Sequence, residues 1–143
     1  VVDTPTLADV EGNLNLLTSA EAPNPALHEQ SLPEALANNR PTLLLIATPA
    51  YCQTRFCGPA YELVDGLQPR YSADLNFVYV ELFPELPNPA ETGWQVAPAA
   101  TAFGLHTEPW LYLIDAEGRV VYRVEGVFTT PEIERQLGLQ FGL

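Results

Sequence analysis

One stretch of the sequence limits the fold more than any other: a short apolar run that is followed at once by both cysteines of the chain. Residues 43–47 read Leu-Leu-Leu-Ile-Ala, with no polar residue between them. A short run that is apolar at every position is typical of a strand covered on both faces, as in a parallel sheet with helices on either side. The run therefore predicts an α/β fold with this strand at its centre.

Cys52 and Cys57 follow that strand, where open α/β sheets place their chemistry. Pro59 fits only in the first turn of a helix, since its missing N–H costs nothing there, so the helix begins near Cys57 or Gly58. Cys52 then lies in the loop and Cys57 at the helix start. The positive end of the helix dipole and the nearby Arg55 both favour a thiolate, which indicates a redox pair.

The C-x4-C spacing decides how the two cysteines can pair. On a regular helix, residues three apart have Cα atoms roughly 5 Å apart, whereas residues five apart are about 8 to 9 Å apart, beyond disulfide range. A C-x-x-C pair can therefore close on a helix, and this pair needs the loop. We expect Cys52 and Cys57 to be bonded in the oxidised protein, because the chain has no other cysteine and the loop allows closure.

Charge and length restrict the partners of the chain. The 143 residues suit one domain with a core of its own. Eighteen acidic and six basic residues give a net charge of -12, which argues against nucleic acid or an anionic membrane as a partner. The chain begins with Val and has no run of transmembrane length, so we expect a trimmed protein that reaches a membrane only through a missing N-terminal anchor. We also expect the protein to be a monomer.

The remaining sequence divides into an arm and a domain. Residues 1–26 are polar and contain prolines, which predicts an extended arm or tether with at most one short strand at 14–17. Residues 27–143 form the domain.

The domain has a predicted order of helices and strands. It begins with a helix at 31–39, a strand at 42–48, a helix ended by Pro69 and a strand at 76–82. An irregular connection at 83–98 follows, then a short helix at 99–103, a hairpin of strands 110–114 and 119–125, and a final helix capped by Thr130. This order predicts helices around a mixed sheet.

Three motifs carry a resemblance to a known family. F-C-G-P-A at 56–60 is similar to the thioredoxin motif W-C-G-P-C, with Ala60 in place of the last cysteine. G-L-H-T-E-P-W-L-Y-L-I-D at 104–115 is similar to the segment that leads into the cis-proline of the family, and D-A-E-G-R-V-V-Y-R-V-E-G resembles the last hairpin of TlpA-type extracytoplasmic thioredoxins. Over roughly residues 27–140 the chain thus resembles the thioredoxin superfamily. The resemblance implies a thioredoxin-like three-layer sandwich, with a mixed sheet flanked by helices.

The resemblance also implies an activity. It predicts an extracytoplasmic thiol-disulfide oxidoreductase, secreted or membrane-tethered, in which Cys52 and Cys57 cycle between dithiol and disulfide. Its partner would be a protein thiol or disulfide, and it would need neither cofactor nor metal. Two registers stay open, because either Cys52 or Cys57 can take the place of the attacking thiol of the family.

Residues around the cysteines receive roles from the same resemblance. It predicts a cis peptide bond at Glu108–Pro109, facing the cysteine loop. A carboxylate at position 108 would raise the pKa values of the thiols and oppose Arg55. Tyr51 and Trp110 would border a substrate groove. The buried acid that thioredoxins carry in the central strand is missing from residues 43–48.

Three other functions are consistent with parts of the sequence. A non-catalytic thioredoxin-fold module would hold the two cysteines as a fixed bridge or as unreactive thiols. Sco-type copper proteins use two cysteines and a histidine ahead of a Y-L-I-D-like strand, which His106 and residues 112–115 resemble, and soft thiolates with an imidazole suit Cu(I). Thr48-Pro49 before a C-x4-C pair is similar to peroxiredoxins, although one additional residue separates it from Cys52.

Overall fold

The computed structural model describes all 143 residues, and its centre is a four-stranded sheet. The strands are β1 (Thr42–Ala47), β2 (Asn76–Glu81), β3 (Trp110–Ile114) and β4 (Val120–Glu125). Their spatial order is β2-β1-β3-β4, with β1 parallel to β2 and with antiparallel pairing of β1 to β3 and of β3 to β4. The predicted mixed sheet, with the apolar run as an inner strand, is confirmed.

Helices cover both faces of this sheet. The α-helices are α1 (Leu32–Leu36), α2 (Cys57–Tyr71), α3 (Pro98–Ala102) and α4 (Thr130–Phe141), and shorter 3-10 helices lie at Leu7–Val10, Leu14–Leu16, Pro25–Leu27 and Pro89–Thr92. One buried cluster joins the sheet to α2 and α4, and the other joins it to α1 and α3. The chain therefore forms the predicted three-layer sandwich. No helix combines the length and the apolar character that crossing a membrane would need.

Strand β1 supplies both clusters and ends at the cysteine loop. Leu43 and Leu45 belong to the cluster under α2, whereas Leu44 and Ile46 belong to the cluster under α1. Successive side chains of a strand point to opposite faces, so an entirely apolar run is what two covered faces require. The Cα partner of Ala47, the last residue of β1, is Glu81, the last residue of β2.

Helix starts follow local capping rules, with one correction. The hydroxyl of Ser31 accepts a hydrogen bond from the Glu34 N–H, and the Glu34 carboxylate accepts one from the Ser31 N–H, which is the predicted capping box of α1. The prediction that Thr130 caps the last helix is wrong by one residue. Thr129 is the N-cap, because its extended backbone lets its hydroxyl accept the N–H of Glu132.

Two further predictions of local structure are wrong. Helix α2 continues through Pro69 to Tyr71, because the fixed φ of proline is itself helical and its missing N–H removes a single backbone bond. The short strand predicted at 14–17 is instead a 3-10 helix at Leu14–Leu16, started by the Asn13 side chain, which accepts the N–H of Asn15.

The first 26 residues lie against the domain. Leu17 and Thr4 are only 4% and 3% exposed, and the Thr4 hydroxyl accepts a hydrogen bond from the N–H of Leu32 at 2.8 Å. The N–H of Leu7 donates to the carbonyl of His28 at 2.8 Å. Composition predicts an extended arm here, since polar residues dominate. The contacts with Leu32 and His28 could not be predicted from composition, because they form only when the domain is folded. The division of the chain at residue 26 stays a prediction.

Candidate functional site

The two cysteines form a disulfide at the end of β1. Cys57 is the first residue of α2, Cys52 lies in the preceding loop, and their Cα atoms are 5.9 Å apart. Because the loop folds back on the helix start, this distance is well short of the roughly 8 to 9 Å expected between residues five apart on a helix. The expected pairing through the loop is confirmed.

Burial distinguishes the two sulfur-bearing residues. Cys57 is 0% exposed and belongs to the core cluster under α2, whereas Cys52 is half-buried and packs on the outside of the same cluster. Helix α2 requires this arrangement, because its first turn must bury Cys57 to bring Ala60, Tyr61 and Val64 into the core. A molecule from solvent can therefore reach Cys52 and not Cys57.

Glu108 holds the loop between the cysteines. It is 8% exposed, and its carboxylate oxygen Oε1 accepts the backbone N–H of Gln53 at 3.0 Å. Its carbonyl oxygen accepts the hydroxyl of Thr54 at 3.0 Å, and the following peptide bond to Pro109 is cis. Glu108 and Pro109 thus lie beside the cysteine loop, and the roles predicted for them stay predictions.

Thr54, which the sequence interpretation did not single out, lies closest to the reacting atoms. Its Oγ1 is 3.2 Å from the Sγ of Cys52 and 3.0 Å from the carbonyl oxygen of Glu108. A threonine between two cysteines carries no recognisable pattern, because its contact with residue 108 depends on how β3 is placed beside β1. Only the three-dimensional arrangement identifies it.

Tyr51 stands in an aromatic cluster with the irregular segment 83–98. Its hydroxyl donates to the carbonyl of Pro87 at 3.0 Å, and its ring meets the edge of Trp94 with centroids 5.5 Å apart. Trp94 also meets Phe83 edge-on at 5.1 Å and is 45% exposed. The segment for which the sequence suggested no chemistry therefore packs its aromatic rings on Tyr51, the residue before Cys52.

Of the other predicted site residues, Trp110 lies apart from the disulfide and Arg55 lies within the cysteine loop. The ring of Trp110 stacks on Tyr112 and packs against the cluster under α1, on the opposite face of the sheet from Cys57. Arg55 is exposed, has a left-handed φ of 73° and forms no ion pair with Glu108. The structure brings Tyr51, Glu108 and Pro109 to the cysteine loop but does not bring Trp110 there.

A buried acid does lie near the end of β1, on the neighbouring strand. Glu81 is 3% exposed, and burial raises the pKa of its carboxyl. The carboxylate accepts hydrogen bonds from the hydroxyl of Tyr79 at 2.7 Å and from the hydroxyl of Ser19 at 2.8 Å, while Ser19 accepts the N–H of Ala50 at 3.0 Å. Strand β2, and not residues 43–48, supplies this acid.

Solved structures provide the comparison. An uncharacterized thioredoxin-like protein from Clostridium perfringens is similar with a TM-score of 0.54 and 20% identity, over 77% of this chain and 77% of that one. A protein from Chlorobium tepidum assigned as the thiol:disulfide interchange protein DsbE is similar with a TM-score of 0.58 and 18% identity, over 76% of this chain and 83% of that one. The chain has a thioredoxin-like fold.

A thioredoxin-like fold does not by itself determine an activity, because the activity depends on the residues of the site. No family model matches the sequence. No curated protein matches it either. What the chain shares with these structures is therefore the fold.

Proposed function

We propose that the protein is an extracytoplasmic thiol-disulfide oxidoreductase that cycles the Cys52–Cys57 disulfide. One observation carries the proposal: the disulfide lies at the junction of β1 and α2, with one half-exposed and one buried cysteine. A purely structural disulfide does not need an accessible cysteine. Here the accessible Cys52 lies at the sheet edge where α/β folds place ligands and catalysis.

Exposure assigns the order of exchange. A thiolate of a partner dithiol attacks the Sγ of Cys52, the bond to Cys57 breaks, and Cys57 leaves as a thiolate at the positive end of α2. The second thiolate of the partner then attacks the mixed disulfide, so that the partner leaves as a disulfide and Cys52 is released. The pair gains two electrons, which the partner dithiol supplies, and the reverse sequence reduces a partner disulfide.

The surroundings of Cys52 favour a protein partner. Tyr51, the residue before Cys52, packs on the exposed ring of Trp94, and aromatic residues are enriched where proteins meet. The relative from Chlorobium tepidum, assigned as a thiol:disulfide interchange protein, supports the same class of partner. An extracytoplasmic location agrees with the disulfide, since such bonds persist in oxidising compartments.

Two measurements test the proposal. Equilibration of the wild-type protein with glutathione redox buffers should give a potential above about -300 mV, which is the range of exchangeable pairs. Cys57→Ser should accumulate a mixed disulfide on Cys52 when it is mixed with an oxidised protein substrate. The matched variant Cys52→Ser should form almost none, because Cys57 is buried.

The second candidate is a non-catalytic module with a structural disulfide. The hydrogen bonds from Gln53 and Thr54 to Glu108 favour it, since they hold the loop closed around the bridge. A potential well below about -300 mV, with no mixed disulfide from Cys57→Ser, would establish this function instead. Copper delivery has less support, because His106 is exposed and joins no metal-binding cluster with the cysteines.

A further inference from the structure

Thr54 lies between two acceptors that compete for one hydrogen. Its Oγ1 is 3.0 Å from the carbonyl oxygen of Glu108 and 3.2 Å from the Sγ of Cys52. A hydroxyl has a single hydrogen, so it donates to one of these acceptors at a time. While the disulfide is closed, the sulfur is neutral and a weak acceptor, and the carbonyl of Glu108 takes the hydrogen bond.

Reduction makes the Cys52 sulfur a stronger hydrogen-bond acceptor than the Glu108 carbonyl. An external dithiol supplies two electrons, breaks the S–S bond and leaves as a disulfide. Of its two protons, one is taken up by the Cys57 thiolate released in the exchange and the other goes to solvent, so that Cys57 becomes a thiol and Cys52 remains a thiolate. A hydrogen bond to a charged acceptor is roughly twice as strong as one to a neutral acceptor, so the thiolate now competes successfully with the carbonyl.

We propose that the Thr54 hydroxyl is a redox-dependent hydrogen-bond donor, which bonds the Glu108 carbonyl in the disulfide form and the Cys52 thiolate in the reduced form. This inference rests on the proposed function, for which it supplies a residue that stabilises the attacking sulfur. The carbonyl of Glu108 then takes its hydrogen bond from water or from an N–H group of the bound partner.

The charges around Cys52 make such a donor necessary. Cys57, and not Cys52, occupies the first position of α2, so the helix dipole acts mainly on the buried sulfur. The Glu108 carboxylate is held at the loop by Gln53 and opposes a negative charge there, while Arg55 is exposed to solvent. Thr54 is the group within hydrogen-bond reach of the Cys52 sulfur.

Two substitutions separate the hydroxyl from the shape of the side chain. Thr54→Val keeps the branched shape and removes the donor, whereas Thr54→Ser keeps the donor. In the fully reduced protein, the alkylation rate of Cys52 is followed against pH by mass spectrometry of the Cys52 peptide. We expect the midpoint of this profile to rise by about one pH unit in Thr54→Val and to stay near the wild-type midpoint in Thr54→Ser.

Two results would overturn the inference. An unchanged midpoint in Thr54→Val would show that the hydroxyl does not bond the thiolate, and an equal shift in both variants would assign the effect to loop packing. The proposed function fails separately, in the glutathione equilibrium of the wild-type protein. Suppose that glutathione cannot reduce the bridge, but that the protein shows the expected alkylation profiles after a stronger reductant is used. That result would support the role of Thr54 as a donor and refute the proposed oxidoreductase function.

Discussion

Acid should destabilise this protein through His28, which is buried as a neutral side chain. His28 is 2% exposed, its Nε2 lies 3.1 Å from the hydroxyl of Tyr61, and its ring meets Tyr79 edge-on at 5.2 Å. Burial lowers the pKa of His28 from 6.5 to about 4. Burial also raises the pKa of Tyr61 to about 12, so the hydroxyl that faces the imidazole stays neutral and offers no charge to stabilise a cation.

The direction of the effect follows from which state binds the proton. Between pH 6.5 and about 4 the unfolded chain holds a protonated His28 and the folded chain does not, so the free energy of unfolding falls as the pH falls through this window. The full difference corresponds to roughly 3 kcal/mol, of which roughly 2 kcal/mol is lost at about pH 5. That loss is a large fraction of the roughly 5 to 15 kcal/mol typical of a domain.

Urea unfolding at about pH 7 and about pH 5 measures this loss, but Glu81 must be separated from it. Burial raises the pKa of Glu81, so the folded state binds that proton more readily and gains stability as the pH falls, opposite to His28. His28→Gln removes only the His28 contribution, and its stability should fall less between the two pH values, by roughly 2 kcal/mol. His106→Gln, at an exposed position, should behave as the wild type. Equal losses in His28→Gln and the wild type would refute the reasoning.

Three further predictions concern packing, capping and the loop. Leu45→Ala should lower the free energy of unfolding in urea by about 2 to 5 kcal/mol, since Leu45 is 0% exposed, and Leu139→Ala, at 65% exposure, by no more than about 0.5 kcal/mol. Thr129→Ala should lower the free energy of unfolding by about 0.5 to 2 kcal/mol in the same assay. An equal loss in Thr130→Ala would contradict the assignment of Thr129 as the N-cap. Reduction should speed amide hydrogen exchange most in residues 50–58, where the bridge joins a loop to a helix start, and equal changes elsewhere would contradict this.

Local chemistry is what the sequence could predict. The burial of residues 43–47 follows from their composition, because a short, fully apolar strand is stable only between two covered faces. Pro59 and Ser31 set the starts of two helices through backbone geometry and capping within a few residues. Thr129 and Thr130 show where such reasoning reaches its limit, because adjacent residues of one type satisfy the same pattern and only the backbone angles decide between them.

The surroundings of the disulfide depended on contacts between distant parts of the chain. Thr54 and Glu108 meet across 54 residues of sequence, and Ser19 meets Glu81 across 62. Neither pair forms until β1, β2 and β3 have assembled into one sheet, so no local pattern marks its members. The sequence therefore determined that a strand leads two cysteines to a helix start. The tertiary structure decided which side chains surround the sulfur atoms, because strand pairing alone brings those distant residues within hydrogen-bonding distance.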